Sequence, residues 1–221
     1  MKPENLSEQK ANKVNKGHSL LHSLILFHPL FSSLILSHPL LSSFILFYLT
    51  TKTNIMLKIK EQQVIEAAQQ GMDAFVELFY NEIMNSIDGE LNAESMQGLT
   101  PDQITLVAYC IYREEIMDGG HVQLIHNGYG PFIFLNPFAK AMRLWGAKEF
   151  SKLVYSGRKF FEENQKALIR ECTDEEFMAI YENYPEADDL DDEFILMEEE
   201  VTEIVARYID EHLQDFAEIE K

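Results

Sequence analysis

The sequence predicts an all-α domain spanning Met56 to Lys221, preceded by an unrelated apolar segment over residues 1–55. Two observations predict it. Apolar residues recur at helical spacing along most of the chain after Met56. Two helix-start signatures, Thr100-Pro101-Asp102-Gln103 and Thr173-Asp174-Glu175-Glu176, place a capping residue ahead of a glutamine or glutamate. About seven or eight helices are expected, with few strands or none.

Residues 1–55 differ from everything after them. Ser23 to Thr50 repeats every ten residues (SLILFHPLFS, SLILSHPLLS, SFILFYLT), and a ten-residue period fits neither a helix nor a strand. The first expectation is that translation begins at Met56 and the repeat lies upstream of the true start. The alternative is a membrane anchor through residues 20–49, which exceeds the roughly 20 residues a spanning helix needs. A signal peptide fits less well, because the apolar run is too long and no small-x-small cleavage site follows it.

From Lys58 onward, Gln62–Gln70 and Met72–Ser86 read as helices broken near Gly71, and Phe75, Leu78, Phe79 and Ile83 form an apolar stripe. Leu91–Leu99 reads as a polar connection. Thr100 caps the next helix, Pro101 suits its first position and Gln103 completes the capping box. Ile104, Val107, Ala108 and Ile111 mark its buried face.

One turn further, that face carries Glu115, a carboxylate near a helix C-terminus where the dipole disfavours it. Asp118-Gly119-Gly120 stops the helix, and His121–His126 starts a short second one. Glu115 is expected to fold over the Gly119–Gly120 turn and accept backbone N–H groups there. Asn127–Asn136 reads as a loop, with Phe132, Phe134 and Leu135 tucked inward. Asn136-Pro137 opens a helix to Trp145. Ala147–Asn164 forms another, with Phe150, Val154 and Phe161 facing in. Thr173 opens a short helix to Tyr184, and Pro185–Asp189 reads as a turn. The last helix is expected from Leu190 to Phe216, with Phe194, Met197, Val201, Ile204, Val205 and Tyr208 inside.

The net charge is −19, and its distribution says more than its size. From Met56 on there are 13 basic and 35 acidic residues, and from Glu171 on there are 20 acids against Arg207 and Lys221. Phosphate contacts need a basic surface, so direct nucleic-acid binding is not expected. A basic partner is. Asp192, Glu199, Glu203 and Asp210 fall within about 20° of one line on the last helix, separated by roughly 6–10 Å along the axis. With Asp188, Asp189 and Glu200 they are the candidate partner-binding acids. The local basic concentration between Lys140 and Lys166 reads as a solvated face, or as a partner for the acidic tail.

No catalytic, metal or cofactor signature survives inspection. His121 and His126 lie about 140° apart on a helix and share no face. Ser156-Gly157 lacks the strand-turn-helix setting of a nucleophile elbow. The glycines of residues 127–136 match neither a phosphate loop nor a dinucleotide fingerprint. The run from Asp188 to Glu193 has the wrong order for a calcium loop. Cys110 and Cys172 form no framework, and Cys110 is expected to serve as a small core residue.

Glu115, Gly119-Gly120, Gln123, Asn127 and Gly130, followed by Ala141 and Gly146-Ala147, resemble the DNA mimic protein 19 family over roughly residues 86–164. His121 stands where that family usually has an aromatic residue, and Asp118 where it usually has asparagine. The resemblance implies an acidic helical protein of bacteria that occupies the nucleic-acid-binding surface of a basic protein such as a transcription factor. It implies no chemistry and no cofactor. The expected role is therefore a non-enzymatic, cytoplasmic protein-interaction module, with self-association as a homodimer left open. The alternatives are an enzyme or small-ligand-binding domain with its site at Glu115, Gly119-Gly120, His121 and Asn127, and an immunity- or antitoxin-like inhibitor.

Overall fold

The computed structural model describes residues 56–170, 172–181 and 183–221. The ten-residue repeat and the candidate span at residues 20–49 lie outside the described residues. Among the described residues no helix is long and apolar enough to cross a membrane.

The first element is a short strand, β1 (Leu57–Lys60), that pairs in parallel with β2 (Ala217–Glu220) at the far end of the chain. Leu57 and Ile59 turn inward while Lys58 and Lys60 turn out. Lys58 Nζ donates to Glu220 Oε1 across the pair at 2.6 Å, and that carboxylate raises the lysine pKa. Four residues are too few for alternation to stand out against the helical pattern around them.

Helices α1 (Glu61–Gln70) and α2 (Met72–Ser86) follow, divided at Gly71 as expected. The central element is α3 (Pro101–His126), kinked at Gly119 and Gly120, where the dihedrals are not helical. It packs against α2, against α6 (Lys148–Leu168) and against α8 (Pro185–Glu211). Tyr109, Tyr112, Phe150 and Phe194 fill the middle. The Tyr112 ring lies 5.1 Å from Phe150 and 5.0 Å from Phe194, both edge-on, and all four side chains are fully buried.

The capping box at the start of α3 forms as the sequence predicts, and it does more than cap. Thr100 Oγ1 accepts from the Gln103 amide, and Gln103 Oε1 accepts from that of Thr100. The remaining hydrogens of the pair reach the end of the chain. Thr100 Oγ1 donates to the Asp215 carbonyl at 2.9 Å, and Gln103 Nε2 donates to that of Phe216 at 2.7 Å. Asp215 and Phe216 belong to α9 (Leu213–Phe216), which leads into β2. Gln103 is fully buried, so Gln103→Ala strands a buried amide and a buried carbonyl. An unpaired buried group costs roughly 1–3 kcal/mol, and urea unfolding should show a loss of that order.

Several boundaries differ from expectation. Within Asn127–Asn136 the structure forms a helix, α4 (Gly130–Phe134), with Pro131 in its first turn. Gly130, Ile133 and Phe134 are its buried residues, while Leu135 points to solvent. Helices α5 (Phe138–Trp145), α6 and α7 (Asp174–Tyr181) form at the expected places, but α6 runs past Asn164 to Leu168 and α7 stops at Tyr181 rather than Tyr184. Thr173 and Glu176 exchange the reciprocal bonds of a second capping box. Helix α8 begins at Pro185 rather than Leu190: proline suits the first position, and Glu186 and Asp188 meet the positive end of the dipole. It ends at Glu211, and α9 follows separately.

Gly89–Leu99 lies between α2 and α3 in the chain. It holds a 3-10 turn at Ser95–Gly98, started by Asn92, whose Oδ1 accepts the amides of Glu94 and Ser95 at 2.9 and 3.0 Å.

Candidate functional site

Helix α8 is 27 residues long, about 40 Å at ~1.5 Å per residue. It carries twelve acids and one base, Arg207. Ten of the acids are exposed, among them Asp188, Asp189, Asp192, Glu199, Glu200, Glu203 and Asp210. Asp191 and Glu198 face the other way, and they fix the helix to the core.

Glu198 is buried and bonds Arg113 of α3 through Arg113 Nε, while the same guanidinium reaches Asp73 of α2 at 2.6 Å. The second bond to Glu198 comes from its own helix: Thr202 Oγ1 donates to Glu198 Oε1 at 3.0 Å. Tyr109 completes the run by donating to Thr202 Oγ1 at 2.6 Å. Burial pushes the Tyr109 pKa upward, so the phenol keeps the proton it donates.

Asp191 occupies the glycine corner. Its Oδ1 accepts the backbone N–H of His121 at 2.9 Å and meets His121 Nδ1 at 2.5 Å. A carboxylate can only accept, so Nδ1 carries a proton. His121 Nε2 lies 3.0 Å from the hydroxyl of Tyr112, whose pKa burial raises well above its ordinary value. His121 is fully buried. The His121 backbone N–H is thus accepted by Asp191, reached across 70 residues.

This anchoring explains Gly120. Its φ of 69° with ψ of −172° suits glycine almost alone, and a Cβ there would sit 2.0 Å from Asp191 Oδ2. Gly157 of α6 is required for a related reason, since a Cβ would meet Phe134 at 2.9 Å and His121 Nε2 at 3.0 Å. Gly120→Ala should therefore lower stability by roughly 1–3 kcal/mol from backbone strain alone. Thermal unfolding should report it together with a weakened Asp191 contact.

The other residues of the motif form a second knot on the same turn. Glu115 is buried, and its Oε2 accepts from Asn127 Nδ2 at 2.7 Å and from Gln123 Nε2 at 3.3 Å. Gln123 Nε2 also donates to Asp118 at 2.8 Å. Gly130 lies under the Phe161 ring, which a Cβ would approach to 2.4 Å. The polar groups at the corner are thus engaged with one another. Two clefts among the described residues lie elsewhere, one beside Gln165–Arg170 and one between the start of α6 and α8.

The basic residues of α6 do not all await the acidic tail: Lys152 pairs with Glu149 and Arg158 with Glu162, each at 2.8 Å on the same helix. Cys110 and Cys172 are free thiols, and burial pushes the Cys110 pKa to about 12.

Sequence reasoning placed the outward acids and the motif residues but missed Asp191, Glu198 and Arg113. One signal was available. Asp191 and Glu198 are seven residues apart, so they share one side of α8 about 100–120° from Asp192, while Glu199, Glu203 and Asp210 lie close to the Asp192 line.

Residues 97–212 match the family described as DMP19-like protein. The DNA mimic protein DMP19 of Neisseria meningitidis serogroup B (strain ATCC BAA-335 / MC58) is 31% identical over 128 residues, which cover 57% of this chain and 77% of that protein. The chain belongs to the DMP19-like protein family.

Proposed function

We propose that the chain is a non-enzymatic mimic of DNA, whose outward carboxylates on α8 occupy the nucleic-acid-binding surface of a basic protein such as a transcription factor. One observation carries the reading: ten exposed acids stand on a single ordered helix that two inward acids lock to the core. Flexible acids could attract a basic protein. Acids in a fixed row can also match the spacing of its phosphate-binding groups, which supplies register as well as attraction. The name of the Neisseria relative, a DNA mimic protein, supports the same role. On this reading the protein works in the cytoplasm, binds no nucleic acid itself and needs no cofactor.

The test is capture of proteins from bacterial lysate on the immobilised full chain, eluted with duplex DNA. The expected result is a DNA-binding protein released by duplex DNA and retained poorly by a chain with Asp192, Glu199, Glu203 and Asp210 neutralised. Capture that ignores both the DNA and the substitutions would speak against the proposal.

A further inference from the structure

The α8 surface is not uniformly acidic. Where its edge meets the start of α6, a cleft of about 230 Å³ opens between Lys148-Glu149 on one side and Met197, Glu200 and Ile204 on the other. Its base is apolar and buried, formed by Ala147, Phe150 and Val201. Met197 and Ile204 are half-buried at its side. The cleft is smaller than the roughly 300–1,000 Å³ of ordinary small-molecule pockets, a size that suits one inserted side chain.

The charges around the cleft are asymmetric. On the α8 side stand Glu200, which lines the cleft, and Glu203, about 60° further round the helix; both are exposed, and Glu203 lies 3.7 Å from Arg207. On the α6 side stand Lys148 and Glu149, with Glu149 already paired to Lys152 at 2.8 Å. Leu196, 88% exposed, adds a further apolar surface within the acidic row of α8. A row of phosphates has no counterpart to either apolar feature.

We propose that this cleft is a docking site for a basic helical segment of the partner protein, which inserts one aliphatic side chain between Met197 and Ile204 and lays its lysines and arginines on the α8 side. The proposal rests on the reading of α8 as the partner-binding face and specifies the chemistry of what binds there. The charge asymmetry gives the orientation: basic groups of the segment meet Glu200 and, further round α8, Glu203, and avoid Lys148. The aliphatic contact lets the surface distinguish one basic protein from another, which carboxylates alone do poorly because their attraction is long-ranged and shared by every basic surface.

The test uses the full chain and two synthetic helical peptides, rich in lysine and arginine, that differ only in carrying leucine or alanine at one central position. Fluorescence anisotropy gives each affinity at low and raised salt. The leucine peptide should bind about tenfold tighter, a ratio consistent with partial burial of one leucine side chain, and the ratio should survive added salt. Met197→Gln, alone and with Ile204→Thr, should abolish the ratio without changing the salt dependence, since neither substitution alters charge. Equal binding of the two peptides to the unaltered chain, with both weakened by neutralising Glu199 and Glu203, would overturn the docking site and leave the acidic-face reading standing. Failure of both peptides to bind would overturn both readings.

Discussion

Asp191→Ala is expected to destabilise the chain by roughly 2–5 kcal/mol, whereas Asp192→Ala, one residue along, should change stability by no more than about 0.5 kcal/mol. The contrast follows from where the two carboxylates point. Asp191 accepts both the backbone N–H and the Nδ1–H of His121, and His121 has no exposed surface. Removing the acceptor strands two donors, each costing roughly 1–3 kcal/mol when buried and unpaired. It also frees the first half of α8 from the glycine corner. Asp192 is exposed, and losing it reduces the repulsion among its neighbours. Urea unfolding of the two variants, compared at the same slope, measures the difference. Similar midpoints would show that Asp191 does not anchor the helix.

The opposite pattern is expected for Asp192→Asn, Glu199→Gln, Glu203→Gln and Asp210→Asn made together. All four positions are exposed, and Glu199 and Glu203 are like charges one turn apart, an arrangement that costs about 0.2–0.5 kcal/mol. Stability should hold or rise slightly. Binding to the protein retained by the immobilised chain should fall by roughly 10- to 100-fold at low salt, as expected when several charge contacts of about 0.2–1 kcal/mol each are lost. The two results together separate acids that build the surface from acids that present it. Loss of folding in the fourfold variant would contradict that division.

Much of this was legible from local signals. The capping boxes at Thr100 and Thr173 act within one helical turn, so their spacing alone revealed them. The kink at Gly119–Gly120 was equally visible, because no other residue type serves as well at Gly120, whose φ is 69°. The family motif was recognisable, but its joint role with α8 was not. Its partner, Asp191, lies 70 residues beyond His121 and reads in isolation as one more solvated acid.

The same blindness displaced the inner face of α8. The apolar residues alone centre that face on Phe194, Met197, Val201, Ile204, Val205 and Tyr208. The buried set includes Glu198 and Thr202 and runs to Ile209, which turns the helix by roughly 60° at ~100° per residue. Met197, Ile204 and Tyr208 therefore sit at the margin, only half-buried. That rotation leaves the cleft beside α6 lined with apolar side chains. The parallel pairing of β1 with β2 was hidden for a different reason: it joins residues about 160 apart through two strands of four residues each.

The most direct measurement of the central claim is the salt dependence of binding between the full chain and the basic protein that duplex DNA releases from it. If the fixed carboxylates of α8 stand in for phosphates, affinity should fall steeply and linearly with salt on logarithmic axes. The slope should become shallower in the fourfold variant by an amount that tracks the charges removed. An identical slope in the two chains would contradict the account, because the partner would then be bound somewhere other than the outward face of α8.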